Sequence, residues 1–161
     1  MRTKTYLEEL VAEWYDFKGY FVKTNIPFGK GEQGGIKGEI DVLVYDPATQ
    51  VLKHVEVETG ATSYSEIAEK TSKKFERASD YYSKLFPSGV RSIEKQIITG
   101  WGDMKQENRE LIKNTTGADL ITIKEFFNEI KTGVQAIDPT SNAIPECYRL
   151  LRTVQMFSYY T

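Results

Sequence analysis

The chain has 161 residues, 40% hydrophobic and 27% charged, a size and balance that fit one compact domain able to bury its own core. A single cysteine, Cys147, excludes an internal disulfide and a cysteine-based zinc site. No run of about 18 apolar residues exists for a membrane span, and Met1 to Leu10 is too charged for a signal peptide, so a cytoplasmic protein with no membrane partner is expected.

The formal charge of −2 gives no overall basic footprint for nucleic acid. Acids gathered around metal ions would leave the remaining surface more basic than that total. Along the chain, Thr5 and Glu8 stand at capping-box spacing, and Leu7, Leu10, Val11 and Trp14 follow at helical intervals until Gly19, which predicts an amphipathic first helix. Tyr20 to Phe28 is rich in aromatic and β-branched residues and reads as a strand, and Gly29 to Gly38, with five glycines, reads as a flexible loop. Glu39 to Asp46 and Val51 to Glu58 alternate apolar and polar residues around Pro47, Ala48, Thr49 and Gln50, the pattern of a β-hairpin. Ser63 and Glu66 repeat the capping-box spacing and open a long helix that runs toward Leu85, stops at Pro87, Ser88 and Gly89, and carries Lys70, Lys73, Lys74, Arg77 and Lys84.

Beyond that helix the pattern alternates: strand Gln96 to Gly100, helix Met104 to Lys113, strand Leu120 to Ile123, helix Glu125 to Lys131. Gly133 to Pro145 reads as a connection, and Leu150, Val154 and Phe157 give a terminal helix an apolar stripe for docking on the core or on a second copy. Among the loop residues, Lys30 and Lys37 could meet a nucleic-acid backbone and Trp101 could stack on a base, or all three could be ordinary loop side chains.

Chemistry concentrates in the hairpin. Side chains two apart in a strand share a face, so Ile40, Val42 and Val44 are expected on one side and Glu39 and Asp41 on the other, with Glu56 and Glu58 set apart from Val55 and Val57 in the same way. A symmetric turn over Pro47 to Gln50 places Asp46 opposite Val51, Asp41 opposite Glu56 and Glu39 opposite Glu58. Four carboxylates would share one patch. Opposed strand residues have Cβ atoms roughly 4.5–5.5 Å apart, so that patch calls for a cation; carboxylate oxygens are the hard ligands Mg²⁺ takes. The alternative is the solvated face of an ordinary amphipathic hairpin.

Gly38-Glu39-Ile40-Asp41, an apolar strand, a turn and then His54-Val55-Glu56-Val57-Glu58 together resemble the PD-(D/E)XK nucleases. The resemblance implies a restriction endonuclease-like α/β core, a mixed β-sheet flanked by helices in the order αβββαβ. That core would span about residues 1–100, with C-terminal β/α additions over about 101–161, all in one nuclease-like domain. It further implies a Mg²⁺-dependent endodeoxyribonuclease of restriction, repair or junction-resolving type, with Mn²⁺ as a substitute ion, DNA as partner and a two-fold homodimer as the working form. Asp41 and Glu56 would be the motif acids and metal ligands, joined by a backbone carbonyl beside Glu56 and by Glu39. Glu58 stands where the family carries lysine, the point charge expected to position water or steady developing negative charge.

Three accounts of Glu58 compete. It is itself a third acid, binding metal or acting as general base; or the lysine has moved to the following helix, as Lys70, Lys73 or Lys74; or the chain is a catalytically inactive nuclease fold that binds nucleic acid or a protein partner. Glu8 is a further candidate, since some resolvases of the superfamily use a first-helix glutamate, against a purely capping role. His54, the only histidine, shares strand parity with Glu56, although a lone strand histidine is more often structural.

Overall fold

A computed structural model describes residues 5–30, 35–100 and 104–161. Helix α1 (Tyr6–Phe17) starts where the Thr5 hydroxyl accepts the Glu8 N–H and the Glu8 carboxylate accepts the Thr5 N–H, both at 3.2 Å. The same reciprocal box opens α2 (Tyr64–Leu85) at Ser63 and Glu66, and α4 (Ile123–Val134) at Thr122 and Glu125. The remaining elements are β1 (Phe21–Lys30), β2 (Ile36–Asp46), β3 (Val51–Glu58), β4 (Ser92–Thr99), α3 (Gln106–Thr116), β5 (Asp119–Thr122) and α5 (Arg149–Tyr160). None of the described helices is long and apolar enough to cross a membrane.

The five strands form one mixed sheet in the order β1-β2-β3-β4-β5, antiparallel across the first three and parallel from β3 to β5. The chain is therefore α/β, its sheet flanked by helices on both faces. Leu7, Leu10, Val11 and Trp14 of α1 pack with Phe126 and Ile130 of α4 and Leu151 of α5 against Val42, Val44, Val55 and Val57. On the opposite face α2 and α3 cover Leu43, Leu52, Ile97 and Leu120 through Ile67, Phe75, Ala78, Tyr82 and Ile112. Phe75 and Phe126 are the largest fully buried side chains, and burial of each stabilises the fold by about 2–3 kcal/mol.

Three expectations change. The glycine-rich stretch is not all loop: β1 and β2 continue into it as far as the Lys30–Ile36 pair, because backbone pairing carries the strands past their apolar pattern. Residues 31–34 and Trp101, and the side chains of Lys30 and Lys37, lie outside the described residues.

Second, Ile40 does not share a side with Val42 and Val44. It packs with Ile26 and Phe28 in the cluster beneath α2, while Val22, Val42 and Val44 pack toward α1. The paired strands turn over beside Asn25, whose φ of +52° lies in the left-handed region that asparagine tolerates better than most residues. Third, the terminal helix buries Leu151 and Gln155. Leu150 and Val154 reach the edge of the core, and Phe157 is 71% exposed, so the apolar stripe is rotated from the one expected.

Candidate active site

The β2–β3 hairpin closes in the expected register, with Asp46 opposite Val51 and Val42 opposite Val55. The ladder pairing ends there, and the next polar link is made by a side chain: the Asp41 carboxylate accepts the Val57 N–H at 2.9 Å. This fixes Asp41 against β3 at the point where Glu56 emerges. Both acids are buried, Glu56 completely.

Helix α2 supplies their counter-charge. The Lys74 ammonium donates to Asp41 Oδ1 at 3.0 Å and also to Glu56 Oε2, which joins two strands and a helix through one cation. Burial, then the neighbouring Asp41 charge, pushes the Glu56 carboxyl well above its usual range, with Lys74 opposing both. Burial pulls Lys74 down, but the Glu56 and Asp41 carboxylates outweigh it and hold the ammonium above its ordinary value. Lys74 is therefore a charged ammonium at neutral pH.

Behind Glu56 lies a layer that the sequence did not single out as functional. His54, fully buried, has Nε2 at 2.5 Å from Glu56 Oε1 and Nδ1 at 2.5 Å from the Tyr82 hydroxyl. Burial, then the Lys74 and Lys95 charges, holds the imidazole well below its ordinary value, so it is neutral. Tyr82 is pushed above the usual phenol range, by burial and then by Glu56, and stays protonated. The assignment that satisfies all three groups has Tyr82 O–H donating to Nδ1 and Nε2–H donating to an ionised Glu56. Phe75 meets the imidazole edge-on, ring centroids 4.7 Å apart.

The structure brings Asp41, Glu56 and Lys74 together and separates the other candidates from them. Glu39 accepts from Asn25 Nδ2 at 2.8 Å, and Glu58 accepts from Lys70 at 2.7 Å. Glu8 is buried in its capping box and makes no hydrogen bond or ion pair with the three among the described residues. The expected four-carboxylate patch is thus a pair of acids bridged by lysine. Among the described residues no three Asp, Glu, His or Cys side chains form a metal-holding group. Two of the four acids answer nearer partners instead.

The pair still suits a hard cation. Two carboxylates from adjacent strands supply the number of protein ligands Mg²⁺ commonly takes in phosphoryl-transfer sites, and Lys74 already balances only one of their two charges. Beside them, a cleft of about 510 Å³ runs between the β1–β2 end and α2, lined by Phe28, Glu39, Lys70, Lys73, Lys74 and Arg77. Gly38 shapes its wall, because a Cβ there would stand 2.6 Å from the Phe28 ring.

Neither a protein-family model nor a curated protein matches the chain. Among solved structures it is similar to a protein of unknown function, AF1548, at a TM-score of 0.51 and 13% identity, with 94% of each chain covered. That likeness is one of fold and spans nearly the whole chain.

Proposed function

We propose that the chain is a metal-dependent phosphodiesterase of the PD-(D/E)XK type, with DNA as substrate and two copies needed to cut both strands. The observation that carries this reading is the Asp41–Glu56 pair on adjacent strands, bridged by Lys74 from the following helix. A restriction endonuclease-like core accounts for the element order from α1 to β4. The lysine absent at position 58 is supplied by α2.

Asp41 and Glu56 would hold Mg²⁺, and the chemistry it would supply there is Lewis-acid polarisation of the scissile phosphate and a more acidic water. The chain's own contribution is placement. Asp41, locked by the Val57 N–H, and Glu56, held from behind by His54, present one carboxylate oxygen each toward Lys74. Lys74 donates to the phosphate oxygen that gains negative charge. Lys70, Lys73 and Arg77 lie along the same helix and line the cleft, where they attract the flanking backbone phosphates, and Glu58, held by Lys70, is the third acid.

The test is cleavage of duplex, single-stranded and branched DNA with Mg²⁺ or Mn²⁺. Asp41→Ala or Glu56→Ala should abolish cutting while circular dichroism stays unchanged, and cleavage that survives both changes sinks the assignment. A second reading, an inactive nuclease fold that binds nucleic acid, draws on Lys74 satisfying both acids without a metal. It expects binding without cleavage and no saturable Mn²⁺ site.

A further inference from the structure

His54 sits behind the acid pair, away from the cleft lining, fully buried, with each ring nitrogen 2.5 Å from a different partner. We infer that Tyr82 and His54 form a positioning relay that holds the Glu56 carboxylate in the orientation its cation requires, an inference that rests on the metal-dependent reading above.

A buried carboxylate on a strand can rotate about its last bond, and a cation ligand that rotates is a weak one. Here Oε1 is occupied by the imidazole Nε2 and Oε2 is turned toward Lys74, so the two oxygens have distinct assignments. Either nitrogen of a neutral imidazole can carry the proton, and an ionised carboxylate only accepts, so the ring proton belongs on Nε2, facing Glu56. The Tyr82 hydroxyl completes the assignment by donating to Nδ1, the acceptor this tautomer leaves 2.5 Å away, and so braces the ring from the side opposite Glu56. Phe75, edge-on to the ring at 78°, blocks rotation of the imidazole. Lys74, Phe75 and Tyr82 all belong to α2, so one helix addresses both oxygens of Glu56, one directly and one through His54.

Because His54 is the only histidine, its ring nitrogens can be followed without ambiguity by ¹⁵N NMR. In the metal-free full chain the wild type should show a protonated Nε2 and an unprotonated Nδ1. Tyr82→Phe should leave Nε2 protonated and move the Nδ1 signal toward that of a pyridine-type nitrogen with no hydrogen bond. Mn²⁺ affinity, measured by electron paramagnetic resonance, should fall on the order of 10- to 100-fold in His54→Phe, the usual cost of losing a partner of a metal ligand. His54→Gln, whose amide keeps an N–H donor, should restore most of it.

Should His54→Phe fail to fold, Tyr82→Phe and His54→Gln decide on their own: an unchanged Nδ1 signal in the first, or affinity in the second no better than that of a Glu56→Gln control, overturns the relay. A folded His54→Phe that binds Mn²⁺ as the wild type does also overturns it, and the metal-dependent reading stands. A wild type that binds no Mn²⁺ removes that reading and the relay with it.

Discussion

Two buried glutamates on opposite faces of the sheet answer the same physical problem differently. Glu13, on α1, offers its carboxylate to the N-terminus of α5 and accepts the Leu151 N–H at 2.8 Å. Burial raises it, and the Leu151 amide pulls it back. Glu56 is answered by side chains alone, an ammonium and an imidazole. Backbone amides at a helix start are fixed by the helix and have nothing else to do, whereas Lys74 is a single flexible cation shared by two acids. The first arrangement closes a structure; the second leaves one negative charge unbalanced beside an open cleft.

That contrast can be broken in order of effect. Glu56→Gln should reduce Mg²⁺-dependent cleavage to background while Glu13→Gln leaves it within about twofold, as read from initial rates; equal losses would erase the distinction between the two acids.

Lys74→Met should lower kcat about 10²–10³-fold, the range for losing one group that stabilises developing charge, and should destabilise the fold on the order of 3 kcal/mol at pH 8 by leaving two buried acids unpaired. The pH dependence of that loss has a definite sign. Glu56 is held above its ordinary value of 4.5, so it takes up a proton at higher pH in the folded chain than in the unfolded one. Stability on its account is present below the unfolded value and is lost as pH rises through the folded one, and removing Lys74 raises the folded one further. Urea denaturation should therefore show the gap between wild type and Lys74→Met narrowing from pH 8 to pH 5.

Glu13→Gln should cost about 1 kcal/mol in the same assay, since an amide oxygen still accepts from Leu151 but without charge. The smallest effect belongs to Glu58→Gln. Its partner Lys70 is 59% exposed, which limits the pair to under about 1 kcal/mol of stability. Cleavage reduced less than about tenfold would place Glu58 at the edge of the site, and a loss matching that of Glu56→Gln would return it to the centre.

What could be read without coordinates follows from how local each feature is. The capping boxes at Thr5 and Ser63 and the Asp46–Val51 hairpin register depend on residues within a few positions of one another, and periodicity was enough to find them. Asp41 and Glu56 followed from that register, as did three lysines on α2. Which lysine reaches them did not, because that depends on the rotation and docking of α2, on which Lys74 lies 18 residues beyond Glu56 in the chain. The His54–Tyr82 contact spans 28 residues and was out of reach for the same reason, although shared parity with Glu56 was a signal in plain view. The turnover of β1 and β2 beside Asn25 was hidden differently. Strict alternation failed between Ile40 and Val42, the β2 residues whose partners flank the left-handed Asn25 of β1, so the neighbours of Glu39 could not be inferred.

Helix α2 bears on the site in a way that outlasts any single contact. Lys74, Phe75 and Tyr82 move only as that helix moves, so the acids lose both supports in one event. Amide exchange along α2 should then report the competent fraction of molecules directly. On warming, activity should fade with the protection of that one helix, whether or not α1, α4 and α5 on the far face are still in place.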